Sequence, residues 1–274
     1  MKSTVVIAIA VLIAGTGVSA ARFAAQTVPP PFQGGGRGPE RRPSLGIEAE
    51  GNTPYDGRFV FVRLRYSTRW DGFRHLGNGG IPWSHDYPDG EMHFMKIMQD
   101  ITLLKPRTNG SNILDLDDPE LFNYPVAYMA EPGFWNLTDR QAESFRAYLQ
   151  KGGFVIFDDF RGYDWNNLQD QMRLVLPEAH WIQLDGTSKV FHSFFEIDHP
   201  EGLAIPSIYD QNLVPSYWGL FENNDPSKRL MVIANVNNDI SEYWEWSGTG
   251  YAPVDLDNEA YKFGVNYIIY GMTH

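Results

Sequence analysis

Hydrophobic positions change period several times along the chain, and each change marks an element. Residues 58–66, RFVFVRLRY, form a nearly continuous apolar and β-branched run, the pattern of a strand covered on both faces. In DGEMHFMKIMQDITLL, Met92, Met95, Met98 and Ile101 recur at helical spacing with Phe94 and Ile97, so the methionines are expected in the core. YPVAYMA (124–130) is a second buried strand. LTDRQAESFRAYLQKGG then carries the signals of a complete helix. Thr138 and Gln141 are spaced as a capping box, Ala142, Phe145 and Leu149 share one face, and Gly152–Gly153 stop it. FVIFD follows as a strand, and strand–helix–strand in this order predicts a right-handed parallel crossover.

The second half repeats the theme less cleanly. DWNNLQDQMRLVLP places Trp165, Leu168, Met172 and Val175 on one helical face, HWIQL reads as a short strand, KRLMVIANV (228–236) as a long one, and NEAYKFGVNYIIYGMTH as a mostly apolar closing helix. Neither a fixed-period repeat nor a second linker interrupts the pattern, so residues 55–274 are expected to form one α/β domain.

Upstream the pattern is of another kind. Residues 1–20 open with one lysine, continue with an apolar stretch from Val5 to about Ala14, and end on small residues at Val18 and Ala20, the order of a secretory signal peptide. The apolar stretch is short of the ~20 residues that a spanning helix needs, so no transmembrane span is expected in the mature chain and export to the periplasm or exterior is. Residues 21–54, rich in Pro and Gly, read as a linker. Their GGGRG is no phosphate loop, because no strand precedes it and no helix follows.

Charge and cysteine content narrow the function classes. The net charge is −12; residues 21–43 contribute +3 from four arginines and one glutamate and Lys2 a further +1, leaving −16 on residues 44–274. Nucleic acid is therefore not an expected partner, since binding it depends on neutralising phosphates. The chain has no cysteine, which excludes disulfides, thiolate metal sites, lipid attachment at cysteine and a cysteine nucleophile.

Several segments together carry a resemblance. FVFVRLRYS, DYPDGEMHF, DPELFNYPVAYMAEPG, FRAYLQKGGFVIFDDF, FHSFFEI and KFGVNYIIYGMTH resemble the exported, stand-alone members of the domain-of-unknown-function 4159 family over nearly all of residues 58–274. The resemblance implies a class I glutamine amidotransferase-like fold, a flavodoxin-like three-layer sandwich with a central, mainly parallel sheet. It implies no activity, and glutaminase chemistry through a thioester is excluded by the missing cysteine.

Open parallel sheets bind ligands beyond the carboxyl ends of their strands, which directs attention to Arg63, Arg65, Asp158 and Asp159. Arg63 and Arg65, two apart, face the same way in an apolar strand and demand anionic partners, either a ligand or a structural carboxylate such as Asp158. Adjacent Asp158 and Asp159 face opposite ways, so one is expected in a site and the other in a cap or local pair. The loop 67–90 is long enough to cover that edge; it brings Asp86 and Tyr87, read with Pro88 as the turn before a helix, so Arg63, Arg65, Asp86 and one of Asp158 and Asp159 are expected to converge in one partly enclosed pocket. Its His85, Asp86, Glu91 and His93, joined by His192 or His199, offer metal-ligand chemistry, but Glu91 and His93 do not face together on a helix, so no metal is assigned and no cofactor is implied.

Glu131 and Asp159 are a candidate glycosidase pair if their strands are neighbours, and Trp165 among the tryptophans suits either sugar stacking or packing. NVNNDISEYWEW offers oxygens for calcium without a recognised loop spacing, and no G-x-S-x-G elbow is present. Two functions fit. The first is a non-catalytic ligand-binding or accessory module of the cell envelope, holding a small polar or carbohydrate-like ligand or an envelope protein. The alternative is a cysteine-independent, carboxylate- or metal-assisted hydrolase using Asp86, Glu131 or Asp159.

Overall fold

Alternate residues of the central strands enter two different cores, which makes the molecule a three-layer sandwich. A computed structural model describes residues 51–68, 81–206, 209 and 212–274; the expected signal peptide, the linker up to residue 50 and residues 69–80 of the long loop, with Trp70, lie outside the described residues. The strands are β1 (Val62–Arg65), β2 (Ser67–Thr68), β3 (Asn112–Asp115), β4 (Val126–Ala130), β5 (Trp135–Asn136), β6 (Phe154–Phe160), β7 (Ile182–Leu184), β8 (Ser216–Phe221) and β9 (Leu230–Val236). The helices are α1 (Asp89–Ile101), α2 (Asp139–Gln150), α3 (Asp164–Val175), α4 (Ile240–Glu245) and α5 (Val254–Thr273). Seven strands form one sheet in the order β3-β1-β4-β6-β9-β8-β7, and β2 pairs with β5 apart from it. The first five are parallel; β8 and β7 close the sheet antiparallel.

Strand parity assigns the layers. Val126, Tyr128, Phe154 and Ile156 pack with α1, α4 and α5, whereas Ala127, Met129, Val155 and Phe157 pack with α2 and α3. At Gly264 of α5 an added Cβ would lie 2.6 Å from Trp244 and 2.8 Å from Phe94, so the missing side chain lets α5 approach α4 and α1 closely. The capping box of α2 is formed, Thr138 accepting from the Gln141 backbone and Gln141 from that of Thr138. Among the described residues no helix is long and apolar enough to cross a membrane.

Three expectations shift. The buried stripe of α1 is Glu91, Phe94, Met95 and Met98 rather than Met92, Met95, Met98 and Ile101, and Ile101 is exposed. The stripe turns because Glu91 is drawn inward by Arg63. Strand β3, strand β8 and helix α4 were not read from the sequence. Asn52 and Thr53, from the last residues of the expected linker, are docked: Asn52 donates to the Ile113 carbonyl at 2.6 Å and accepts from its N–H at 2.8 Å. One side-chain amide thereby satisfies part of the open edge of β3, a device that blunts edge pairing.

Candidate functional site

The carboxyl ends of β4, β6 and β9 lie side by side, and each delivers acidic residues to the same place. Strand β4 runs into Glu131, β6 carries Asp158 and Asp159, and β9 is followed by Asp239 and then by Glu242 in α4. His85 and Asp86 arrive from the loop that follows β1 and β2. Asp86, Glu131 and Asp159 all adopt left-handed backbone conformations, with φ of 62°, 46° and 56°. Such a conformation costs a non-glycine residue on the order of 1–3 kcal/mol and persists only where surrounding structure fixes it. At Asp159 it coincides with a register shift between β6 and β9.

The adjacent aspartates divide their work. Asp158 is fully buried and accepts from the Ile240 and Ser241 backbone N–H groups, both at 3.0 Å, from Asn235 at 2.8 Å and from the Tyr128 hydroxyl at 3.1 Å. It anchors the start of α4, beside the N-cap Asp239, which accepts from the Glu242 N–H at 2.9 Å. Asp159, 1% exposed, instead approaches His85, with Oδ2 2.6 Å from Nδ1. The same ring nitrogen is 3.3 Å from Asp86. Ser241 Oγ joins the halves of the cluster: it receives the Tyr128 hydroxyl at 2.6 Å and contacts both Asp86 and Asp239. At the rim, the Tyr209 hydroxyl lies between Asp159 and Asp239, and the Arg161 guanidinium stacks on the Tyr209 ring, 3.6 Å from the Asp159 carboxylate.

This arrangement is short of positive charge. Six carboxylates (Asp86, Glu131, Asp158, Asp159, Asp239 and Glu242) are gathered with one imidazole and one guanidinium, and all but Glu131 are buried. Burial, reinforced by Asp239, pushes Asp158 up to about 7. Burial likewise raises Glu131 to about 7, with His85 opposing and Asp86 and Asp239 adding to the shift. Asp159 is raised well above the usual carboxylate range by burial and by Asp239, and Asp239 is raised by burial and by Asp86. Burial works against the charged form of His85, yet Asp86 and Asp159 outweigh it and lift the imidazole well above its ordinary value. The chemistry follows from the geometry: such a cluster either retains protons or accepts a cation.

Two donor sets have the compactness that a cation requires. His85, Asp86, Asp239 and Glu242 each bring one nitrogen or oxygen within 4.8 Å of the others, and so do His85, Glu131 and Asp159. Carboxylate oxygens with one imidazole suit Mg²⁺, Mn²⁺, Ca²⁺ or Zn²⁺. Glu131, half-buried and titrating near neutrality, is suited to proton transfer.

The site residues expected from sequence separate. Asp86, Glu131 and Asp159 meet around His85, and Asp158 lies beneath them as an anchor. The expected convergence of Arg63 and Arg65 on these carboxylates does not occur. Arg63 is buried under α1, where Glu91 binds it through two oxygens at 2.8 and 3.0 Å and the Trp83 and His85 carbonyls take its Nη1. Tyr87 lies 5.9 Å from that guanidinium. Arg65 falls past the helix and pairs in register with Asp115, both exposed. His192 contacts Glu196 and the Gly186 carbonyl, His93 the Trp244 carbonyl and His199 Glu201, so none of the three joins His85. Trp165 stacks on Phe160 and meets Trp181 and Trp218 in a half-buried aromatic patch. Sequence reasoning missed Arg161, Tyr209, Ser241 and the role of Asp239; the signal for the last two was NVNNDISEYWEW, an acid-and-amide run directly after a strand.

The family described as Domain of unknown function (DUF4159) matches residues 60–272. No curated protein matches the chain.

Proposed function

The chain belongs to the DUF4159 family, and on that premise we propose that it is a cation-assisted hydrolase of a polar substrate, acting outside the cytoplasm. The observation that carries this reading is the buried excess of carboxylates around His85 at the carboxyl edge of the sheet. A module that merely docks a ligand has no need of several acids held away from their ordinary titration range, whereas such groups concentrate at catalytic sites. Three left-handed backbones at Asp86, Glu131 and Asp159 support the same reading, because strain of this kind collects where geometry serves chemistry. Export is supported by the charge, apolar and small-residue order of residues 1–20.

The roles follow from position. His85, Asp86, Asp239 and Glu242 would hold a divalent cation, which when bound would supply Lewis-acid chemistry. Glu131, titrating near 7, exchanges a proton with the attacking or departing group. Asp159 orients His85, and Arg161, half-exposed on the Tyr209 ring, offers a positive charge beside Asp159.

The test is turnover by chelator-treated protein on chromogenic esters, phosphoesters and glycosides, with and without added Mg²⁺, Mn²⁺, Ca²⁺ or Zn²⁺. Cation-dependent hydrolysis of at least one class, reduced on the order of 100-fold or more by Glu131→Gln and abolished by Asp239→Asn, is expected. Cation binding without turnover of any class would return the chain to the non-catalytic module, and absence of both would remove the cation from the site.

A further inference from the structure

A second, unrelated feature lies at the antiparallel end of the sheet. A cavity of about 300 Å³ opens beside the edge strand β7, a size at the lower end of small-molecule sites. Its floor is apolar: Leu184, Val190, Phe221 and Leu230, all buried, line it with Tyr270 of α5. Its rim carries two ammonium groups, Lys189 and Lys228, and one carboxylate, Asp185. Neither ammonium forms an ion pair among the described residues, although Lys228 lies near enough to Asp225 to help hold that carboxyl below its ordinary value. Residues 51–274 contain six lysines, so a third of them border this one hollow in a strongly acidic body. Asp185, the acid in the lining, is turned onto Thr187, whose N–H and hydroxyl it accepts at 2.9 and 2.6 Å. Thr187 and Ser188 add hydroxyls to the same rim.

We propose that this cavity is a ligand site for a small amphipathic carboxylate: an organic anion whose apolar body fills the floor while its carboxylate lies between Lys189 and Lys228. A volume of this size holds about ten groups of the ~30 Å³ that a water-sized unit occupies, which fits an acid of medium chain length. The two lysines select the anion over a neutral molecule of the same shape, and the apolar floor selects it over a bare inorganic anion. The site shares no residue with the His85 cluster.

Calorimetric titration of the full chain with octanoate, with 1-octanol and with acetate tests the assignment. Saturable octanoate binding is expected, weaker by roughly tenfold in a Lys189→Gln/Lys228→Gln variant, the loss of about 1.4 kcal/mol. The Lys189→Arg/Lys228→Arg variant retains it. Leu184→Trp, which fills the floor, abolishes it, and Asp239→Asn leaves it unchanged. The circular dichroism spectrum of each variant shows that it is folded. No saturable binding at millimolar octanoate, equal binding of octanol, or an affinity indifferent to both lysines overturns the proposal.

Discussion

Two buried charged groups stand close together in this molecule and differ in one respect. Arg63 and Glu91 are each 1% exposed, and they satisfy one another through two hydrogen bonds, with Ser111 and two carbonyls completing the shell. The cluster around His85 is buried at its aspartates and at Glu242, half-buried at His85 and Glu131, and holds far more acidic than basic groups. The first arrangement is complete and fixes α1 on β1. The second is incomplete, and the deficit is what marks it as a site. Burial of charge by itself therefore distinguishes nothing; the balance of charge does.

The largest effect that sharpens this contrast is on the balanced pair. Arg63→Met should lower stability by about 3–5 kcal/mol, because it strands the buried Glu91 carboxylate, and urea unfolding at pH 7 measures it. The double variant Arg63→Met/Glu91→Met should regain most of that loss. A single variant within about 1 kcal/mol of the parent would show that Arg63 is not structural.

In the unbalanced cluster the sign reverses. Removing one negative charge by Asp239→Asn should raise the stability of the metal-free protein at pH 8, because burial and Asp86 already oppose the charged form of Asp239. The same change should abolish cation binding. An Asp239→Asn variant destabilised as strongly as Arg63→Met would place the two regions in one class.

Smaller effects are expected away from both. Thr138→Ala removes the cap of α2 and should cost about 1 kcal/mol in the same urea experiment. Arg65→Ala breaks an exposed pair with Asp115 and should change stability by no more than about 0.5 kcal/mol. A larger loss there would mean that the cross-strand pair does more than decorate the β1–β3 edge.

The legible parts of the fold were those with a long period. Strands β4, β6 and β9 and helices α2 and α5 show in the sequence because five or more residues repeat one pattern. Strand β3 is four residues, NILD, with a polar residue at each end; β8 is broken by Gly219; α4 has six residues, too few for a helical face. At the site, Asp86, Glu131 and Asp159 were visible because each stands at or near the carboxyl end of a strand or in the long loop. That Asp86 should meet one of Asp158 and Asp159 followed from the parallel edge; that it is Asp159, with His85 between them, was not legible, since it depends on the register shift at Asp159 and on left-handed turns that no spacing rule encodes. The arginines misled for a related reason: Arg63 and Arg65 do sit in one strand, but α1 covers only the first, and the length of that cover belongs to tertiary packing.

The most direct measurement is the melting temperature of chelator-treated protein from pH 5 to 8, with and without a divalent cation. Glu131 and Asp158 titrate near 7 in the folded protein against ordinary values of 4.5 and 3.8. Their protons therefore favour the folded state; that contribution is full below the ordinary values and is lost as pH rises through about 7. The raised imidazole of His85 acts in the same direction. Metal-free protein should melt at progressively lower temperature toward pH 8, and millimolar Mn²⁺ or Ca²⁺ should restore the loss at pH 8 while doing little at pH 5. Asp239→Asn should flatten the slope and remove the cation effect. A melting temperature that is level across this range and indifferent to every cation would contradict the assignment of the His85 cluster as an incomplete, cation-accepting site.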